Sequence, residues 1–179
     1  HIAGDSTSET FHIWTVAEAT AAGITGLAGT TEIVITRNGT NTAAVIAELD
    51  NVEEIVINGL GGGDTFVPHG NFGTTSLSTS TITLEGGAGD DTVDIRALTS
   101  AHRVVFRSNG GSDTVIGAPR PQDVFDGSSI SFAGIPGTDP GTPGGGDEGG
   151  PTGAFALTPR DIEGLKKLIA GLLPFPGDD

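Results

Sequence analysis

Nine residues, Gly86-Gly87-Ala88-Gly89-Asp90-Asp91-Thr92-Val93-Asp94, constrain this 179-residue chain more than any other stretch. Glycines in the first, second and fourth places allow a tight backbone reversal that exposes carbonyl oxygens. Asp91, in the sixth place, sets a carboxylate beside those carbonyls. Val93, in the eighth, begins a strand and points into a core. Carboxylates and carbonyls are hard oxygen donors, and such donors suit calcium better than a soft transition metal.

Two incomplete copies flank this stretch. Upstream stands Gly59-Leu60-Gly61-Gly62-Gly63-Asp64-Thr65-Phe66-Val67, and downstream Ser108-Asn109-Gly110-Gly111-Ser112-Asp113-Thr114-Val115-Ile116. All three keep glycine in the fourth place, followed by x-Asp-Thr-apolar. The pattern resembles the nine-residue calcium-binding repeat of the RTX, or haemolysin-type, proteins, whose repeats wind into a parallel β-helix. By that resemblance each ion sits between the turns of neighbouring coils. Its implied ligands are the side chains of Asp64, Asp91 and Asp113 with the carbonyls of Gly61, Gly62, Ala88, Gly89, Gly110 and Gly111; Asp90 and Asp94 add charge. The bland alternative is that these are glycine corners whose aspartates bond backbone amides.

The chain departs from the ordinary RTX pattern in its spacing. The aspartates at 64, 91 and 113 stand 27 and 22 residues apart, whereas a coil of two nonapeptides takes about eighteen. An irregular solenoid with one calcium-prone edge is therefore expected. Stretches such as 48–57 and 103–113 also resemble the RTX-type regions appended to large secreted bacterial proteins, among them haem-peroxidase-like ones.

One unit recurs around the turns. An apolar strand (Ile55-Val56-Ile57, Ile82-Thr83-Leu84, Val104-Val105-Phe106) leads into each glycine turn, and a second strand (Thr65–Val67, Thr92–Ile95, Thr114–Ile116) leaves it. A polar return closes the unit. One strand pair per unit is the signature of stacked parallel coils, none of which buries its apolar face alone. The fold class expected is all-β: a right-handed parallel β-helix, or irregular β-roll solenoid. A capping N-terminal segment precedes it, and a short C-terminal α-helix follows a flexible linker.

The domain reading follows in order. Residues 1–30 are a polar lead-in and cap, with Trp14 covering an open end of the core and a helical turn ending at Gly23. Residues 31–132 hold the solenoid, entered through an antiparallel hairpin around Asn38-Gly39. Residues 133–153, nearly all Gly, Pro, Thr and Asp, read as a linker. Residues 154–179 read as an amphipathic helix, with Thr158 as N-cap, Pro159 in the first helical place and an apolar stripe from Ile162 to Leu173.

Composition narrows the function classes. Aspartate and glutamate number 23 against 8 lysines and arginines, for a formal charge of −15. Such a chain is repelled by nucleic acid and suits carboxylates neutralised by divalent cations. Cysteine is absent, which removes disulfide and thiol chemistry. No apolar run reaches the roughly twenty residues of a membrane helix, so no membrane insertion is expected. Beginning at His1 without methionine, the chain reads as a piece of something longer.

Enzyme signals are poor, and no enzyme is expected. His1, His12, His69 and His102 share no short ligand spacing, and no nucleophile elbow or phosphate loop occurs. The expected function is a calcium-binding structural module of a secreted or cell-surface bacterial protein, of the kind exported by type I secretion. It would fold on meeting calcium outside the cell, with calcium ions and a parent-protein domain or further copies of itself as partners. A second expectation is a self-assembling subunit of an extracellular layer, matrix or filament, with the C-terminal helix of residues 154–179 docking on a neighbour. A third, ranked below both, is a polysaccharide-active β-helix enzyme.

Overall fold

The structure is a computed structural model that describes residues 1–77 and 81–134. The expected linker beyond Gly134 and the expected helix at 154–179 lie outside the described residues. The described part is mostly β, with two parallel-rich sheets packed face to face. Five passes of the chain build them, each giving a strand to the first sheet, a turn, and a strand to the second.

The first pass is β1 (Ile2–Ala3) and β2 (Thr10–Thr15). The chain then leaves the pattern through α1 (Val16–Ala21) and the strands β3 (Ile33–Arg37) and β4 (Val45–Leu49). The second pass is β5 (Ile55–Asn58) and β6 (Thr65–His69), and the third β7 (Thr81–Glu85) and β8 (Thr92–Asp94). The fourth is β9 (Arg103–Arg107) and β10 (Asp113–Ile116), and the last β11 (Val124–Asp126) and β12 (Ile130–Ala133). Sheet order is β1-β5-β7-β9-β11 in the first and β12-β10-β8-β6-β2-β3-β4 in the second. All pairings are parallel except β2–β3 and β3–β4. The hairpin expected near Asn38-Gly39 is β3–β4, with Asn38 at φ 56°. Its second strand starts later than Thr42, because Thr42–Ala44 form a single 3-10 turn.

Alternation along each strand explains the core. Ile55, Ile57, Ile82, Leu84, Val104 and Phe106 point inward from the first sheet. Phe11, Ile13, Phe66, Val93 and Val115 meet them from the second, in one continuous cluster. Phe66 stacks on Phe11 with ring centroids 5.7 Å apart and leans on Phe106 at 6.4 Å. With 5% aromatic residues, these few rings carry much of the packing, and truncating Phe66 to alanine costs about 3–5 kcal/mol.

Two sequence expectations are corrected here. The lead-in at residues 1–10 is part of both sheets: β1 pairs with β5, and β2 pairs with β6. Trp14 does not cover an end of the main core. It lies on the outer face of the second sheet, in a satellite cluster with Ala19, Ile24 and Val34. There α1 covers it, held at its start by Thr15, whose side chain accepts the Glu18 N–H. Trp14 Nε1 donates to Thr36 Oγ1 at 3.2 Å, which satisfies its one polar atom.

Candidate metal centre

The parallel register sets the turns one above another. Thr65 aligns with Thr92, and Thr92 with Thr114, so the residues just before them, Asp64, Asp91 and Asp113, form one column. At the start of a strand the backbone N–H has lost its partner in the neighbouring turn. Here the carboxylate of the next pass supplies one. Asp64 N donates to Asp91 Oδ1 at 2.7 Å, and Asp91 N donates to Asp113 Oδ1 at 2.8 Å. Backbone bonds run alongside: Thr92 N to the Asp64 carbonyl, and Thr114 N to the Asp91 carbonyl.

A fourth acid heads the column. Thr10 aligns with Thr65, which puts Glu9 in the aspartate place of the first pass, and Glu9 N donates to Asp64 Oδ1 at 2.8 Å. Residues 4–10, Gly-Asp-Ser-Thr-Ser-Glu-Thr, are thus a fourth copy of the turn that sequence reading missed. Its signal was Glu-Thr-Phe at 9–11 beside Asp-Thr-Phe at 64–66, with Gly4 standing five before the acid as Gly59 does. At the other end Ile130 aligns with Asp113, and Asp113 N falls back on the Ser129 carbonyl. The acidic column therefore ends in a hydrocarbon.

The glycines of the motif have two separate causes. Gly89, in the fourth place, has φ 133° and lies against the carbonyl of Gly62. Gly111, in the same place one pass on, has φ 86° and lies against the carbonyl of Gly89. A Cβ at either would overlap that carbonyl. Gly59 and Gly86, in the first place, make room for the acid itself: a Cβ there would overlap Asp64 Oδ2 or Asp91 Oδ2.

What remains unpaired is the second oxygen of each aspartate. Asp64, Asp91 and Asp113 are 0%, 1% and 1% exposed, and their Oδ2 atoms are buried without a hydrogen-bond partner. Glu9 is different, because Arg37 Nη1 lies 3.1 Å from its Oε1 and Asp5 N donates to its Oε2. The ion pairs among the described residues engage Glu9, Glu85, Asp94 and Asp123, and none of the three aspartates. Burial pushes the Asp91 carboxyl up to about 6, helped by the charges of Asp113, Asp64 and Asp90 and opposed by the Asp64 N–H. Burial raises Asp64 as well, with Glu9 and Asp5 adding repulsion.

The other candidate ligands are placed as follows. Gly61 bridges to Ala88, and the Ala88 carbonyl already accepts the Gly62 N–H at 2.8 Å. The Gly62 and Gly89 carbonyls face the next glycine down. Gly110 and Gly111 border an open polar groove with Ser108, Asn109, Asp126 and Gly127. It opens there because the last turn, Gly127–Ser129, is two residues shorter than the turn above it. Asp90 is exposed, and its Oδ1 accepts the Ser112 N–H at 2.8 Å. Among the described residues no three His, Cys, Asp or Glu side chains converge on one point. The donor chemistry fits a hard cation, while the side chains form a file and not a cage. A hard cation here would have to take Oδ2 of an aspartate together with backbone carbonyls.

Comparison with protein-family models, with curated proteins and with solved structures gives no match.

Proposed function

We propose that this chain is a calcium-binding structural module of a secreted or cell-surface bacterial protein. On this reading its passes wind as a right-handed parallel β-helix of the RTX-like kind. The observation that carries the reading is the file of buried Oδ2 atoms on Asp64, Asp91 and Asp113. Three carboxylates sit out of water with no counter-charge among the described residues, and a buried unpaired charge is strongly destabilising. A divalent cation at the turns removes that penalty. Binding free energy then becomes folding free energy, because the column does not exist in the unfolded chain. In a calcium-poor interior the carboxylates repel and the chain stays open; outside, calcium closes it.

The test is thermal unfolding followed by circular dichroism, with calcium and with excess chelator. The melting temperature is expected to rise with calcium in the wild type and not in a D64N/D91N/D113N triple variant. Identical melting with and without calcium in the wild type overturns the proposal.

One observation favours a second reading, self-assembly end to end. β11 and β12 close the sheets as parallel edges, and Val124 and Phe132 stand 42% and 46% exposed there. Among the described residues no strand pairs with the outer side of β11 or β12, and such edges with apolar residues invite addition. Light scattering of the full chain against its Phe132→Lys variant decides it: a smaller particle in the variant supports assembly through this edge, and an unchanged size rejects it.

A further inference from the structure

Two of the four histidines that share no spacing in the sequence, His12 and His69, meet in the fold. His12 lies on β2 and His69 on β6, on the outer face of the second sheet, away from the acidic column. His12 Nδ1 and His69 Nε2 face each other at 2.9 Å. Trp14 aligns with His69 in the parallel register, and their rings stack with centroids 3.8 Å apart and planes 7° apart. The His12 ring packs against both, at 5.2 Å from each. Both imidazoles are half-buried, and the stack fixes their orientation.

The 2.9 Å contact is a hydrogen bond between the two rings, and the same separation is one that two ligands can take on one metal ion. Two metal–nitrogen bonds of about 2.0–2.1 Å meeting at roughly 90° put the nitrogens about 2.9 Å apart. A tetrahedral angle needs about 3.3 Å, so the separation matches square-based coordination, which copper(II) and nickel(II) prefer, once the hydrogen bond between the rings is given up. We infer that His12 and His69 form a two-histidine site for a divalent transition metal of this class, with water in the remaining positions. Binding requires one histidine to move its proton from the shared contact to its other ring nitrogen, with no net gain or loss. Asp94 lies near enough to oppose the depression of His69. Its carboxylate is held by Arg96, through Nε at 2.9 Å and Nη2 at 2.7 Å. Burial lowers His12, and burial with the charge of His12 brings His69 down to about 4. In the shared contact one ring donates and the lone pair of the other accepts, so a metal competes with that hydrogen bond.

This inference does not rest on calcium at the turns, and the test is run with calcium chloride present throughout. Trp14 is the only tryptophan and the chain has no tyrosine, so its emission reports locally. Adding copper(II) chloride to the full chain at neutral pH is expected to quench Trp14 saturably and reversibly on chelation. His12→Gln and His69→Gln should each abolish the saturable phase, and His102→Gln should leave it intact. Quenching that is unsaturable, or that persists in the two variants, overturns the site. Should a variant lose its β spectrum, the wild type is read by proton NMR with substoichiometric nickel(II). Joint broadening of the His12 and His69 ring protons ahead of those of His102 supports the site, and any other order rejects it.

Discussion

Asp91 Oδ1 accepts the Asp64 backbone N–H at 2.7 Å across 27 residues of chain. That bond does in the turn what a carbonyl does in the strand: it satisfies a buried donor and ties one pass to the next. Because the acceptor is a charged side chain, the bond is among the stronger kinds, and its loss leaves the donor orphaned.

Asparagine and alanine at position 91 separate that bond from the charge. Both remove the negative charge, but asparagine keeps an oxygen where Oδ1 sits. Asp91→Ala is expected to be less stable than Asp91→Asn by about 1–3 kcal/mol. Urea denaturation of the two variants under one condition measures the difference.

The same residue sets a pH dependence in metal-free solution. Asp91 titrates near 6 in the folded protein against 3.8 for an ordinary aspartate. Between those values the folded state holds the extra proton, so stability falls as pH rises through that window. The contribution is full below about 3.8 and lost above about 6, and a shift of about two units corresponds to about 3 kcal/mol. In chelator, the stability of Asp91→Asn relative to wild type should therefore increase from pH 4 to pH 7. A flat difference would contradict the placement of this carboxyl.

On the opposite face the sign reverses. His69 is held down to about 4 from 6.5, by burial first and by His12 second. The unfolded state then binds more protons between those values, so stability falls as pH drops from 6.5 toward 4. His69 is only half-buried, and solvent screening limits the effect to about 1 kcal/mol. The slope should vanish in His69→Gln, and Trp14 emission should change with the same midpoint in the wild type.

Gly89→Ala and Gly111→Ala are expected to cost about 2–4 kcal/mol each, since both a left-sided φ and a carbonyl overlap oppose the added methyl. Melting temperatures measure the loss. Ser112→Ala, one place on and exposed, should melt with the wild type.

Much of this was legible in the sequence for a plain reason. Three Asp-Thr-apolar exits mark where strands leave turns, and Ile55–Ile57, Ile82–Leu84 and Val104–Phe106 mark where strands enter. Parallel register then follows from repetition, and the column of Asp64, Asp91 and Asp113 follows from register. The first turn was hidden because Thr7 stands in the fourth place, where the other three turns carry Gly62, Gly89 and Gly111. It was hidden further because α1, β3 and β4 separate β2 from its partner β6 by some fifty residues. The last turn was hidden by its missing two residues and by Ile130 in the place of an acid. The pairing of His12 with His69 could not be read from spacing, since only the parallel alignment of β2 on β6 brings 12 and 69 onto one face.

The hydrocarbon at Ile130 has a consequence for growth of the molecule by duplication. Each internal turn repeats one link, an acid accepting from the turn above and an amide donating to the turn below. A tandem copy of residues 86–107 placed between Glu85 and Ser108 would keep the acid-to-amide link of the column on both sides. Ile130 offers no acceptor, so the acidic column ends there. Length in this architecture is set by where the terminator stands, and lineages can lengthen or shorten it by whole passes without redesigning either end.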